Sequence, residues 1–344
     1  MTIANSNSVN LSLIVPVYNG GANLPALLDD LNLLPAARVQ IVLINDGSTD
    51  NSLTLCHDFK GGRDNVKVID QANAGVSVAR NAGMAKAVGV YTGFCDADDR
   101  MDAEALLSVL DKAQAVDAEM AVFNHVTVDK RSGKILRASS LEQHDFVFAE
   151  DFPMLYEALC FNQVWNKVYK SDFLRLHQIR FEPGIAPGQD FRFNMDMIVH
   201  LHRGLICDDK AYCYLVGQSE SVTTSYSPKQ FSYFVYGLGR IEKLMRDRGI
   251  FSEDFMGTQW GRALLASANN IARKGGPSGP ISAFRAFKAD ACEVRRHADL
   301  SKAIPYNNQF SLRILFSLIR KKQDAVLFFI FFVMMPIKQK MASI

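Results

Sequence analysis

This 344-residue chain lacks most of the short signatures that would settle its chemistry at once. Its six cysteines, Cys56, Cys95, Cys160, Cys207, Cys213 and Cys292, form no C-x-x-C pair, which excludes the usual zinc and disulfide frameworks. They read as buried thiols of a reducing compartment. The seven histidines include His200 and His202 but no H-E-x-x-H. No G-x-x-x-x-G-K-[ST] occurs, so the chain is not a P-loop protein, and no G-x-G-x-x-G follows the first apolar run. Charge of one sign is also missing: Lys and Arg number 38 against 36 Asp and Glu, and a net +2 argues against a nucleic-acid partner. Residues Met1–Asn10 are polar and carry no signal-peptide core. No internal repeat or low-complexity tract is present.

What remains is an ordinary globular composition, 48% hydrophobic and 22% charged, long enough for one large or two modest domains. Leu11–Val17 is a compact apolar run, the first buried strand, that ends in the turn Pro16-Val17-Tyr18-Asn19-Gly20-Gly21. Leu24, Leu27, Leu28, Leu31 and Leu34 follow at helical spacing, with Asn23 as N-cap and Pro25 in the first turn. Val39–Ile44 is a second strand, ending in Asn45-Asp46-Gly47-Ser48-Thr49-Asp50. Val66–Ile69 is a third, and the loop Gln71–Gly75 leads into a helix of small residues through Ala79, Arg80, Ala82, Ala85 and Ala87. Strand and helix in alternation predict an α/β fold, a mainly parallel central sheet flanked by helices. Ligands of such sheets sit beyond the carboxyl ends of the strands, and the polar turns all fall at that edge.

The fourth strand runs into acid: Val90-Tyr91-Thr92-Gly93-Phe94-Cys95-Asp96-Ala97-Asp98-Asp99. Three crowded carboxylates repel one another unless something offsets their charge. A hard divalent cation, Mg²⁺ or Mn²⁺, prefers such oxygens and completes its shell with water and substrate phosphates. The alternative is a solvated acidic turn before a helix starting near Asp102. With no phosphate-binding glycine loop, metal on Asp98 together with Arg80 is the expected means of meeting phosphate charge.

The four stretches Val15–Asn19, Asn45–Asp50, Asn73–Gly83 and Asp96–Asp99 together resemble, in order and spacing, the signature of family 2 glycosyltransferases with the GT-A fold. The resemblance is close over about the first hundred residues. It implies an inverting glycosyltransferase that uses a nucleotide-sugar donor, typically UDP-linked, and a divalent cation. Pro16, Tyr18 and Asn19 would frame the nucleotide pocket, although Tyr18 reads equally well as wall. Asp46 would meet the base, and Asn73, Gly75 and Arg80 would lie near ribose and diphosphate. Asp96 would sit near the ribose and the metal, Asp98 would hold the metal, and Asp99 would support the metal or meet the sugar. Taken singly, Arg80 also fits a surface helix charge and Gly75 an ordinary turn.

Farther on, Met120–Val128 reads as a strand, with the turn Asp129–Lys134 making a hairpin to Ile135-Leu136. Val164-Trp165-Asn166-Lys167-Val168-Tyr169 and Gly184–Phe191 resemble the acceptor half of the same family. So does the segment Tyr212–Tyr214 followed by Ser219–Thr224. On that resemblance Asp190 is the general base, while as sequence it also fits an N-cap for the helix Phe191–His202. The family usually has Glu where this chain has Gln189; the missing charge would lower the pKa of Asp190. Gln189 and Trp165 are assigned to the acceptor side, and Trp165 fits an ordinary core tryptophan equally well.

The reading divides the chain into a nucleotide-sugar half (1–105), an acceptor half (106–226) and a C-terminal helical extension (227–344). Helices are expected at Phe231–Arg248 and Thr258–Lys274, with a break at Gly275–Pro280. Ala325–Ile337 is an apolar, Phe-rich run of about 13 residues, short of the ~20 that span a bilayer. With Arg320, Lys321 and Lys322 before it and Lys338 and Lys340 after, the tail from about 310 reads as a membrane-surface anchor. Packing onto protein, an oligomer included, is the rival. The expected protein is cytoplasmic, peripheral on the inner face of the cell membrane, with a saccharide or lipid-linked saccharide acceptor. A nucleotidyltransferase and a non-catalytic sugar-nucleotide-binding protein are the alternatives.

Overall fold

The structure, a computed structural model, describes residues 9–185, 188–217, 226–273, 276–298, 300 and 310–330. The chain packs as two compact units, Met1–Gly217 and Gln218–Ile344. The first begins β1 (Leu11–Val17), α1 (Leu24–Leu31), β2 (Val39–Asp46), α2 (Ser52–Lys60), β3 (Val66–Gln71), α3 (Val76–Met84) and β4 (Tyr91–Phe94). It continues with β5 (Arg100–Met101), α4 (Ala103–Ala115), β6 (Met120–Asp129), β7 (Ile135–Ala138), β8 (His144–Asp145) and α5 (Phe148–Glu157). It ends with β9 (Lys167–Lys170), α6 (Ser171–Leu176), α7 (Gln189–His200) and β10 (Gly204–Val216).

One sheet runs through this unit in the order β3-β2-β1-β4-β9-β6-β10-β5, with β7 beside β6 and β8 beside β10. The four strands β3, β2, β1 and β4 are parallel, as their strand-helix alternation predicts. β2 is buried throughout and β1 at every position but the half-buried Pro16, which is why both read as continuous apolar runs. Asn23 occupies the N-cap of α1, but its side chain makes no capping bond. α3 lies tight on the sheet: a Cβ at Gly83 would stand 2.5 Å from Ile14 Cγ2 and 2.9 Å from Ile44 Cδ1. The same face of the helix, one turn earlier, therefore carries Arg80 inward, where it is 2% exposed.

Beyond β4 the sheet becomes mixed. β9 is inserted antiparallel between β4 and β6, so that Thr92 faces Tyr169 and Val122 faces Lys167. This carries the W-N-K-x-Y stretch into the middle of the sheet. The β6–β7 hairpin forms across the expected turn, and Asp102 caps α4 by accepting from Ala105 N–H at 2.9 Å.

The second unit contains α8 (Gln230–Asp247), α9 (Glu253–Ile271), α10 (Pro280–His297), α11 (Phe310–Arg320) and α12 (Asp324–Phe329). α9 packs against both α8 and α10, and α12 against α10 and α11. Phe328 meets Phe284 and Phe287 of α10 with ring centroids 5.1 and 6.3 Å apart, so the start of the Phe-rich run packs onto protein. The rest of that run, with Lys338 and Lys340, lies outside the described residues. No helix among them is long and apolar enough to cross a membrane. One reading of the cysteines is corrected. Cys56, Cys95, Cys160 and Cys207 are buried, but Cys213 is half-buried and Cys292 exposed. Ala283, Phe287, Ala291 and Val294 form the covered face of α10, and Cys292 lies off that stripe.

Candidate active site

The carboxyl ends of β1 and β2 are stitched together by short side chains. Asn19, in a left-handed conformation (φ 48°), donates its N–H to Ser48 Oγ at 3.0 Å. Its side-chain Oδ1 accepts from Thr49 N–H at 2.8 Å. Gly20 N–H donates to Ser52 Oγ and Gly21 N–H to Asp50 Oδ2, at 2.9 and 2.8 Å. Gly47 is required twice over: its φ is +71°, and a Cβ there would stand 2.6 Å from Asn73 N. The loops after β2 and β3 can therefore touch. Tyr18 projects from this rim, 56% exposed.

Asp46 fixes the third loop. Its Oδ1 accepts from Gln71 Nε2 at 2.8 Å and Ala74 N–H at 3.0 Å, and its Oδ2 from Gly75 N–H at 2.9 Å. This buried carboxylate thus has one of about four acceptor positions left for a ligand. Asn73 and Gly75 are exposed, and Gly75 (φ 88°) opens α3.

The three acids after β4 separate into three environments. Asp98 is exposed as a residue; partial burial around its carboxylate and then the neighbouring Asp96 charge hold its pKa above the ordinary value. Asp99 turns inward and is 2% exposed. Its Oδ2 accepts from the Tyr212 hydroxyl at 2.6 Å and its Oδ1 from Leu215 N–H at 2.8 Å. Burial and then the Asp96 charge push its carboxyl up to about 8. The same Tyr212 hydroxyl accepts the Asp96 N–H at 3.1 Å, so one phenol orders both flanks of the turn. Asp99 therefore faces β10, not the mouth of the site.

Asp96 faces Arg80, and so does Asp190. Arg80 Nη2 donates to Asp96 Oδ1 at 2.8 Å, and Nη1 to Asp190 Oδ1 at 2.5 Å. The guanidinium lies 5.1 Å over the Phe181 ring, within a cluster of Phe94, Tyr169, Phe181 and Phe193. Arg80 is thus no surface charge; two carboxylates offset it, which leaves less of it to meet phosphate. Asn81, the next residue, exchanges two hydrogen bonds with the Phe181 backbone, 2.7 and 2.9 Å long, and so secures the wall of this cluster.

Asp190 lies in the first turn of α7 behind the N-cap Gly188 (φ 101°), so the capping position belongs to Gly188. Burial raises the Asp190 pKa and Arg80 pulls it back; the net direction is upward. Gln189 is half-buried, and its buried Oε1 has no hydrogen-bond partner among the described residues.

The loop 160–166 is held by groups that sequence reasoning passed over. Lys167, 1% exposed, donates to Cys160 O, Gln163 O and Asn166 Oδ1 at 2.8, 2.6 and 2.8 Å. Burial lowers its pKa to about 7. Asn194 of α7 donates to Phe161 O and Gln163 O and accepts from the Tyr169 hydroxyl at 2.6 Å, tying the Asp190 helix to this loop and to β9. Trp165 is 5% exposed and stacks on Tyr212 and Tyr214 at 4.3 and 5.6 Å. Its rings stack on buried Tyr212 and on Tyr214 at the rim, so the indole is packed against protein rather than offered to a sugar. The i, i+2 spacing of Tyr212 and Tyr214 was the available clue to one shared face. Ser219–Thr224 lies outside the described residues.

Among the described residues no group of three His, Cys, Asp or Glu is arranged to hold a metal ion. A site for Mg²⁺ or Mn²⁺ needs only one or two carboxylates when substrate phosphates complete the shell. Exposed Asp98, with the Asp96 oxygen turned from Arg80, fits that lesser requirement; Asp99 does not.

Residues 12–176 match the family described as glycosyl transferase family 2. The chain is 29% identical over 214 residues to the uncharacterized glycosyltransferase YibD of Escherichia coli, covering 60% of this chain and 62% of that one. It is 28% identical to the glycosyltransferase GlyA of Streptococcus pneumoniae, covering 60% of this chain and 30% of that protein. The chain therefore spans less than two thirds of the length of these relatives. The poly(ribitol-phosphate) β-N-acetylglucosaminyltransferase TarS of Staphylococcus aureus is 25% identical over 70% of this chain and 41% of its own. The crystal structure of TarS 1–349 with UDP-GlcNAc superposes with a TM-score of 0.66 at 18% identity, covering 93% of this chain and 90% of that one. That likeness establishes the GT-A fold.

Proposed function

Since the chain carries a glycosyl transferase family 2 domain over residues 12–176, we propose that it transfers a sugar from a UDP-linked donor to a saccharide or lipid-linked saccharide acceptor, with inversion. The observation that carries this reading is the double engagement of Arg80: one guanidinium holds Asp96, beside the candidate metal ligand, and Asp190, on the acceptor side. A donor-side acid and a candidate base are thereby fixed within one pocket before any substrate arrives.

In this reading residues 1–105 form the donor half and 106–226 the acceptor half. Tyr18 and the Asn19–Thr49 junction border the nucleotide, and the Asp46-clamped loop presents Asn73 and Gly75 to ribose and diphosphate. Asp98, with Asp96, would hold a divalent cation, which when bound offsets charge on the leaving diphosphate. Asp190 Oδ2 takes the proton of the acceptor hydroxyl as its oxygen attacks the anomeric carbon and the bond to UDP breaks on the opposite face. Partial burial suits that role, because a base nearer neutral pH accepts a proton more strongly. Gln189 Oε1, unpartnered among the described residues, accepts from an acceptor hydroxyl. Peripheral contact of the tail with membrane belongs to the same proposal, as do UDP-GlcNAc, the ligand in the TarS complex, as first donor to try, and assembly of surface polysaccharide as the setting.

The test is UDP release by the full chain with Mn²⁺ across a panel of UDP-sugars, comparing wild type with Asp190→Asn. Donor-dependent release should fall about 10²-fold or more in the variant while donor affinity is kept. Absence of release with every donor, or equal release by the variant, would refute the reading.

A further inference from the structure

The C-terminal unit contains a cavity of about 500 Å³ lined by five basic side chains. Arg295, Arg296 and His297 come from the last turn of α10, and Arg320 and Lys322 from the end of α11 and the turn after it. Leu300 and Ile319, 5% and 1% exposed, supply apolar wall. Cations in a last helical turn have an ordinary explanation, since they offset the negative end of the helix dipole. That accounts for each helix separately. It does not account for two helix ends delivering their cations to one cavity, where like charges repel.

The acidic groups at hand answer this only in part. Asp324 pairs with Arg295, at 2.7 Å to Nη1 and through Nη2 as well. Glu293 serves both Arg296, at 2.7 Å, and His297, at 3.2 Å. Lys322 has no carboxylate partner among the described residues. It also sits where a lysine is sterically disfavoured. Its φ is +56°, its N–H donates to Ile319 O at 3.0 Å, and Gln323 N–H donates to Leu318 O at 2.9 Å. This is the helix-closing pattern that glycine usually fills. Arg295 Nε is buried and has no hydrogen-bond partner among the described residues, so one donor of the lining is still unmet there.

We propose that this cavity binds a phosphate group. Planar guanidinium donors and an ammonium around a recess with apolar wall suit a tetrahedral oxyanion, free or carried by an anionic lipid headgroup. Exposed Ile314, Val326 and Phe329 on α11 and α12 favour the headgroup as source. The inference rests on the C-terminal unit and does not depend on the sugar-transfer chemistry; its headgroup arm bears on the membrane contact proposed above.

Two arms test it on the full chain. Isothermal titration uses inorganic phosphate; sedimentation compares phosphatidylglycerol with phosphatidylcholine vesicles. Arg296→Gln and Lys322→Gln remove two exposed charges. We expect wild type to bind in at least one arm, and the double variant to bind that ligand roughly tenfold more weakly. Preference for phosphatidylglycerol identifies a headgroup site; binding of phosphate without vesicle binding identifies a soluble source. Lys322→Gly separates the site from the fold, because it removes the charge and relieves the backbone: the melting temperature should hold or rise while affinity falls. No binding by wild type in either arm overturns the proposal. So does equal affinity in correctly folded variants, whatever other site then holds the phosphate.

Discussion

Arg80 and Asp190 stand 110 positions apart in the chain and 2.5 Å apart in the fold. The contact joins the helix after β3 to the first turn of α7. With Asp96 on its other nitrogen, Arg80 orders the centre of the candidate site before any ligand binds.

Arg80→Lys keeps the charge but not the planar fork that reaches two carboxylates at once. Transfer by that variant should fall well below wild type. Arg80→Met should also destabilise the domain by on the order of 3 kcal/mol, discounted for the partial exposure of Asp96 and Asp190. Urea unfolding and UDP release measure the two effects. Wild-type stability in Arg80→Met would show that the bridge contributes nothing to the fold.

Asp98→Asn should behave in the opposite way. The side chain is exposed, so stability should change by no more than about 0.5 kcal/mol. Mn²⁺-dependent donor affinity should collapse, and excess EDTA should do the same to wild type. Full activity in EDTA would remove the metal from the mechanism.

Lys167 gives a pH dependence with a definite sign. Its folded pKa is lowered to about 7, while the unfolded chain keeps that proton to about 10.4. Between these values the unfolded state binds more protons, so stability rises with pH, by up to about 1.4 kcal/mol per unit. Lys167→Met should lose this rise between pH 7 and 8.5. At pH 7 it should also cost roughly 2 kcal/mol, because Gln163 O and Asn166 Oδ1 lose a buried donor. Parallel denaturation curves for both proteins across that window would contradict the assignment.

Truncation after Asn308 removes α11 and α12. Phe316, Ile319 and Leu327 are at most 1% exposed, and Asp324 pairs with Arg295. Their loss should cost on the order of 5 kcal/mol of burial. The truncated chain should melt earlier in its C-terminal unit or aggregate. A soluble truncated chain with unchanged calorimetric transitions would mean that these helices act as a detachable tail.

The sequence by itself determined the local elements and the edge where the chemistry gathers. Apolar runs at Leu11–Val17 and Val39–Ile44 read as buried strands of an alternating strand-helix chain, and they are buried strands. Turn residues at Asn19, Gly47 and Gly75 answer to backbone conformations fixed within a few residues, and all three have positive φ. The tertiary structure decided partners. Asp96, Asp98 and Asp99 are chemically alike and adjacent, yet one meets Arg80, one meets solvent and one is drawn inward by Tyr212, 113 positions away. Trp165 was open between sugar platform and core until β9, inserted antiparallel, set it against Tyr212 and Tyr214. The reason is the range of the forces. Backbone preference and hydrophobic period act over a few residues and are written in order along the chain. Ion pairs and ring stacking act over a few ångströms of space, and which groups come that close is settled only when the sheet and its helices pack.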